Sequence, residues 1–134
     1  MSLERSLGEI IKSVPSCLAT GWVDMDTGML LGVKTVDSHP QEVLDLVAAA
    51  TSDLFQGTNV TTIEQLFKKS RGVEDTGQHY FQEILVISEN LIHVFIRGKK
   101  NPSQVLVTVS RIDANLGMCL TKVRLGLKQL EASL

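Results

Sequence analysis

The apolar positions of this chain first follow a helical period and then fall into two nearly unbroken runs. The helical period stops at Pro15, because proline disfavours helical backbone in the residue before it. The two runs flank the acidic segment Asp24–Gly28, whose glycine can supply the positive φ that a tight turn needs. This pattern predicts a β-hairpin after a short first helix. The predicted elements are a helix over Leu3–Val14 and strands over Cys17–Asp24 and Met29–Thr35.

After the hairpin, the pattern predicts two helices, three strands and a last helix. Ser38-His39-Pro40-Gln41 offers a cap, a first-turn proline and a capping-box glutamine, and Thr61-Thr62-Ile63-Glu64 is a second capping box. The three apolar runs that follow are separated by turns too short for anything except antiparallel hairpins. Asn115 is a good cap for the last amphipathic stretch. The predicted elements are helices over Pro40–Phe55, Thr61–Gly72 and Asn115–Ala132, a loop over Gly72–His79, and strands over His79–Ser88, Leu91–Arg97 and Gln104–Ser110.

The predicted strands are apolar on both faces. In the third strand, for example, Ile84 and Val86 alternate with Leu85 and Ile87. A sheet of this kind must be covered on both sides. Five antiparallel strands with helices on each face form a three-layer α/β domain. The length of 134 residues suits one domain, so we expect a single domain over residues 1–134.

The second helix is apolar around more of its circumference than one sheet face can cover. Its apolar arc is roughly 200° wide, about twice the usual stripe. Either the short third helix, with Ile63, Leu66 and Phe67 pointing inward, or a loop covers the excess, or a second subunit does, since exposed apolar patches usually mark association sites. A twofold homodimer is the commonest such solution. The first apolar stripe is Val43, Leu46, Val47, Ala50 and Leu54, and the second, which needs this additional cover, is Leu44, Ala48 and Phe55.

Composition and charge exclude several classes of protein. A net charge of −2 argues against a dedicated nucleic-acid binder. No apolar run approaches the roughly 20 residues that span a bilayer, and no signal peptide is visible, so we expect a soluble, cytoplasmic protein with no membrane insertion. Cys17 and Cys119 lie in apolar patterns and are expected to be buried free thiols. The three histidines have no metal-ligand spacing, so no metal and no cofactor are predicted.

The order of the elements, with the turn Asp24-Met25-Asp26-Thr27-Gly28 in the first hairpin, resembles the roadblock/dynein light chain family over nearly the whole chain. The resemblance implies a profilin-like fold with sheet order 2-1-5-4-3, the second helix on one face and the first and last helices on the other. It implies homodimers that pair second helices and third strands, and a non-catalytic role as a partner or regulator of small Ras-like GTPases. The insertion Thr58–His79 departs from the compact family pattern. The implied dimer-interface residues are Leu44, Ala48, Thr51, Phe55, Tyr80, Gln82 and Ile84.

Two other functions compete with this interpretation. The segment Asp24–Thr27 after an apolar run matches the first motif of haloacid-dehalogenase-like phosphatases, in which one aspartate attacks phosphorus, the other is the general acid/base and magnesium neutralises the phosphate. That would make Asp24 and Asp26 catalytic in a magnesium-dependent phosphohydrolase, but such a fold needs a parallel sheet, whereas Met29–Val33 looks like the return strand of a hairpin. A PAS-like small-ligand sensor is the third possibility, and it requires an internal cavity.

A basic segment follows the fourth strand. Arg97, Lys99 and Lys100 are predicted to lie at a hairpin tip, where such residues most often keep a sheet edge soluble. The alternative is a docking patch for an acidic partner or a phosphate. Trp22 is expected in the core.

Overall fold

The computed structural model describes residues 2–37, 41–72 and 81–134, and of residues 41–45 the backbone alone. The elements follow the predicted order, and the two strands of the first hairpin have the predicted bounds. The proposed cap at Ser38–Pro40 and the predicted loop beyond Gly72 lie outside the described residues. The elements are α1 (Leu3–Ser13), β1 (Cys17–Asp24), β2 (Met29–Thr35), α2 (Gln41–Gln56), α3 (Thr58–Ser70), β3 (Glu83–Ile87), β4 (Leu91–Arg97), β5 (Gln104–Arg111) and α4 (Leu116–Ser133).

The five strands form one antiparallel sheet in the order β2-β1-β5-β4-β3, which confirms the predicted order. Trp22 in β1 lies opposite Leu106 in β5, and Phe95 in β4 lies opposite Val107 in β5. In β3, Ile84 pairs with Phe95. β2 and β3 are the two edges of the sheet, so each has one side that no other described strand pairs with.

Local capping explains the helix ends that the sequence predicted well. The side chain of Ser2 accepts from the backbone N–H of Arg5 at 3.2 Å, and the chain leaves α1 at Val14, just before Pro15. The Asn115 side chain accepts from the backbone N–H of Met118 at 2.9 Å at the start of α4. Both ends are therefore set by neighbouring residues in the sequence.

The predicted start of α3 is wrong by one turn. The helix begins at Thr58, after Gly57, which makes no side-chain cap. The Thr62 hydroxyl donates to the carbonyl of Thr58 at 2.8 Å, and the Thr61 hydroxyl also donates backwards, to the same carbonyl at 3.0 Å. A threonine that bonds the preceding turn lies inside a helix and does not cap it.

The helices cover the sheet unequally. α1 and α4 pack on one face and form the larger apolar core, which contains Trp22 at its centre as predicted. α2 packs on the other face over a smaller core that includes Ala48 and Phe55. Cys17 and Cys119 are buried and free, as predicted, and burial raises the pKa of the Cys17 thiol. None of the helices in the described residues has the length and apolarity needed to cross a bilayer.

Candidate interaction surfaces

The predicted interface on α2 is wrong for three of its four residues, which are buried in their own chain. Ala48, Thr51 and Phe55 are each 0 % exposed within a single chain, so they pack against their own sheet and cannot contact a partner. Leu44 was predicted to join them, but its side chain lies outside the described residues. The sequence identified two apolar stripes correctly and assigned them to the wrong sides.

Packing against the sheet decides which stripe of α2 is buried. The hydrophobicity of the residues alone does not predict this choice. The small side chain of Ala48 allows the helix to approach closely. The Thr51 hydroxyl donates to the carbonyl of Val47 at 2.8 Å, so its burial leaves no unpaired donor. The ring of Phe55 lies 5.1 Å from the guanidinium carbon of Arg97. A cation over an aromatic face is attracted by the ring quadrupole, and this contact fixes the end of α2.

The outward stripe of α2 is apolar and uncovered. Leu46 is 64 % exposed, Val47 is 45 % exposed and Leu54 is 37 % exposed, with Ala50 also exposed between them. Beside this stripe, an open groove of about 260 Å³ runs over the sheet. Its wall includes Val47, and its floor is formed by residues of β1, β2, β4 and β5. The representative floor residues are Gly21, Val33, Leu91, His93, Val107 and Val109.

α3 packs with its polar side inward, which contradicts the predicted orientation. Glu64 and Lys68, one turn apart, are buried, whereas Ile63, Leu66 and Phe67 are exposed. The buried guanidinium of Arg97 in β4 attracts the carboxylate of Glu64, which favours this orientation. α3 therefore does not cover the outward stripe of α2 with its apolar residues in the way the sequence suggested.

Arg97 is part of the core, so its prediction as a docking residue is wrong. The residue is 1 % exposed. Its side chain donates to the carbonyls of Phe81 at 2.8 Å, Pro102 at 2.9 Å and Phe55 at 3.4 Å. Burial lowers the pKa of Arg97, and the carboxylate of Glu64 opposes that change. The alternation along β4 could have revealed this, because Arg97 follows Phe95 by two residues and so lies on the same face.

Lys99 and Lys100 are exposed at the hairpin tip, as predicted. The tip itself is held by Glu131 of α4, which the sequence did not indicate. The Glu131 carboxylate is buried and accepts from the backbone N–H groups of Lys99, Lys100 and Asn101, each at 2.9 Å. Three N–H donors on one carboxylate form a strong, charge-assisted anchor between α4 and the tip.

The acidic turn is structural in this arrangement. Asp24 accepts from the Thr27 hydroxyl at 2.8 Å, and Gly28 has a φ of 71°, the left-handed conformation that favours glycine. Asp26 accepts from the side chain of Gln56 at 3.1 Å, which ties the turn to the end of α2. β1 and β2 are antiparallel, so the parallel sheet that the phosphohydrolase hypothesis requires is contradicted. Within the described ranges, no group of three potential ligands could hold a metal ion.

β3 presents an apolar edge. Leu85, Val86 and Ile87 are all exposed, and β3 pairs only with β4 among the described strands. Ile84 is half-buried against the α2-side core, and the carbonyl of Gln82 accepts from the backbone N–H of Arg97 at 2.8 Å. Tyr80, also predicted at the interface, lies outside the described residues.

The chain has the fold of the roadblock/dynein light chain domains. Similar solved structures include a roadblock/LC7 domain from Streptomyces avermitilis, with 14% identity over 99% of this chain and 98% of that chain at a TM-score of 0.68. Myxococcus xanthus MglB shares 15% identity over 98% and 96% at a TM-score of 0.70, and the gliding protein MglB from Thermus thermophilus shares 19% over 94% and 83% at 0.68. The sequence matches no family model and no curated protein.

Proposed function

We propose that this protein is a non-catalytic homodimeric adaptor, with the outward stripe of α2 at the subunit interface. The observation that carries the proposal is the uncovered stripe of Leu46, Val47 and Leu54 beside the open apolar groove over the sheet. Burying apolar surface is favourable by about 25 cal/mol of free energy per Å². Such a surface is therefore stabilised by a partner of matching shape. A second copy of the same stripe meets that requirement in a twofold contact.

The edge strand supports the same twofold arrangement. An exposed apolar edge strand is a hazard in a monomer, because its free N–H and C=O groups can pair with any other strand. Pairing β3 with β3 of a second copy satisfies these groups and covers Val86, which lies on the same side of the sheet as Ile84 and α2. Ile84 and Gln82 flank this contact, and we keep them, with Tyr80 and Leu44, as proposed interface positions. Structures of similar fold include one described as MglB with a tetrameric arrangement, which shows that this fold can assemble.

Light scattering of purified protein tests the interface. We expect a dimer at micromolar concentration and a monomer for Leu46→Asp, because a buried unpaired carboxylate costs several kcal/mol. Leu125→Asp is the matched control, since Leu125 is an exposed leucine on α4, on the opposite face of the sheet. The control should remain dimeric. A monomeric wild-type protein, or a dimeric Leu46→Asp, contradicts the proposal.

The proposed partner is a small Ras-like GTPase, supported by the family resemblance and by the shared fold. The test is direct binding of the small GTPases encoded in the same genome, each loaded with GDP or with a non-hydrolysable GTP analogue, measured by fluorescence anisotropy. We expect one of them to bind in a nucleotide-dependent manner. Failure of all of them in both states contradicts the GTPase assignment and leaves the dimer proposal unaffected.

A further inference from the structure

The face of the sheet opposite α2 carries a second groove with different chemistry. It has a volume of about 320 Å³ and lies between α4, the start of β3 and the β4–β5 tip. Ile96 and Leu127 line its apolar base. Four cationic and two acidic side chains surround it, which gives the groove a net charge of +2 in a chain whose own net charge is −2. These side chains are Lys99, Lys100, Arg124, Lys128, Glu83 and Glu131.

Both carboxylates of this groove are already engaged by other groups of the chain. Glu131 accepts from three backbone N–H groups of the tip. Glu83 accepts from Arg124 through two bonds, at 2.9 Å and 2.7 Å, in a bidentate pair. The carboxylates of Glu83 and Glu131 are thus held by other groups, while Lys99, Lys100 and Lys128 are exposed around the groove. Cationic side chains around an apolar base attract an anionic ligand that also has apolar groups to bury.

The geometry distinguishes an acidic peptide from a phosphate group. The consecutive backbone N–H groups at residues 99–101 would suit a phosphate, but the carboxylate of Glu131 occupies them. The remaining cations are lysines on flexible stems, which suit several spaced carboxylates better than one compact ion.

The groove also continues into an apolar ledge along β3. Successive strand residues alternate between faces, and Glu83 contacts Arg124 of α4, so Leu85 and Ile87 lie on the α4 side as well. Leu85 is 39 % exposed and Ile87 is 57 % exposed. A ligand that has acidic residues at one end and apolar residues at the other would match both parts of this surface.

We propose that this groove binds an acidic, leucine-containing peptide segment of a partner protein, with carboxylates against Lys99, Lys100 and Lys128 and an apolar side chain on the ledge of β3. All of these residues belong to one chain, so the inference does not depend on the α2 dimer. A monomeric Leu46→Asp variant should retain the same site.

Fluorescence anisotropy with a short labelled peptide tests this inference. The peptide has a glutamate-rich half and a leucine-containing half, and the control peptide replaces each glutamate by glutamine. We expect the acidic peptide to bind the wild-type protein and the Leu46→Asp variant equally. The double variant Lys99→Glu/Lys128→Glu should lose about tenfold or more in affinity. Lys12→Glu/Lys34→Glu is the matched control, because it changes the net charge equally at exposed positions away from the groove.

Several results would overturn the inference. One is an absence of binding to the wild-type protein, and another is an equal loss of affinity in both double variants, which would indicate only the overall charge. Equal binding of the glutamine peptide would remove the role of the lysines. Displacement of the peptide by inorganic phosphate, or tighter binding to phosphatidylserine vesicles, would assign the cations to a phosphate or a membrane surface. Because wild-type and Leu46→Asp proteins are compared, failure of this site is separable from failure of the dimer.

Discussion

The two faces of the sheet are completed in different ways. On the α1/α4 face, Leu7, Ile10 and Leu130 are buried, and Gly126 lets the two helices touch, since a Cβ there would lie 2.8 Å from a side-chain carbon of Ile10. On the α2 face, the apolar core is smaller and adjoins an open groove. The helices α1 and α4 enclose the core between them, whereas α2 leaves part of its own apolar surface exposed beside the groove.

The faces also differ in what holds them. The α1/α4 core is formed mainly by apolar packing, with the Glu83–Arg124 ion pair at its rim and the buried Glu131 carboxylate holding the β4–β5 tip. The α2 face contains the buried guanidinium of Arg97, close to the carboxylate of Glu64 and the ring of Phe55. Directional polar contacts can position an incompletely covered helix where apolar packing alone would be insufficient. We infer that Arg97 holds the end of α2 on the sheet although part of the apolar surface of this helix is exposed.

The largest expected effect is the loss of that anchor. Arg97→Met removes three hydrogen bonds to backbone carbonyls and takes the guanidinium away from the buried Glu64, so the free energy of unfolding should fall by about 3–5 kcal/mol. Urea denaturation of the wild-type protein and of the variant measures this change in the free energy of unfolding. Lys99→Met is the control at an exposed neighbouring position and should change stability by less than about 0.5 kcal/mol.

A double variant shows whether the charge itself is responsible. Adding Glu64→Gln to Arg97→Met removes both members of the buried charge pair and should recover part of the loss, because removing one member of such a pair costs more than removing both. Equal effects of Arg97→Met and Lys99→Met would show that the α2 face is not anchored in this way.

The second prediction compares one substitution on the two faces. Leu130→Ala removes a side chain that is 0 % exposed in the α1/α4 core and should cost about 2–5 kcal/mol. Leu46→Ala removes one that is 64 % exposed and should cost less than about 0.5 kcal/mol in the monomer. Thermal unfolding at several protein concentrations measures both.

The concentration dependence sharpens this comparison. A dimer that buries Leu46 makes the melting temperature rise with protein concentration, and Leu46→Ala should weaken that rise. Leu130→Ala should lower the melting temperature at every concentration. A concentration-independent melting temperature for the wild-type protein would mean that the α2 face has no second copy on it.

The elements that the sequence predicted well are those determined by neighbouring residues. Pro15 ends α1, Asn115 begins α4, and Gly28 closes the first hairpin, all through contacts within a few positions. The sheet order followed from the family resemblance, and the arrangement of strands agrees with it. Local chemistry was therefore sufficient for these element ends, whereas the sheet order required the family resemblance.

The candidate interface could not be predicted in the same way, because it depends on which of two similar stripes fits the sheet. Phe55 and Leu54 are adjacent and both apolar, yet Phe55 is enclosed and Leu54 is exposed. Phe55 packs into the α2-side core of the sheet, where the guanidinium of Arg97, 42 residues away in the sequence, also contacts its ring and its carbonyl. The same guanidinium interacts electrostatically with the buried Glu64, whereas the apolar residues Leu66 and Phe67 of α3 are exposed. A buried charge reverses the orientation that hydrophobic periodicity alone would predict.

The smallest expected effect concerns the rim of the α1/α4 face. The Arg124 guanidinium, through its hydrogen bonds, holds the pKa of Glu83 below its ordinary value of 4.5. A lowered carboxylate pKa stabilises the fold at neutral pH, and this contribution is lost as the pH falls from 4.5 through the folded-state pKa. Because Glu83 and Arg124 are partly exposed, Glu83→Gln should cost no more than about 1 kcal/mol at neutral pH.

Denaturation of the wild-type protein and Glu83→Gln between neutral and acidic pH measures this contribution, with the exposed Glu89→Gln as control. The two proteins should converge in stability once the pH lies below the folded-state pKa of Glu83. Salt at about 1 M should also diminish the Glu83→Gln effect, since exposed charges are screened, while the Arg97→Met effect persists because that guanidinium is enclosed. An equal response of the two stability losses to salt would mean that Arg97 and Arg124 are equally accessible to solvent. The proposed difference between a buried polar anchor under α2 and an exposed ion pair on the α4 side would then be wrong.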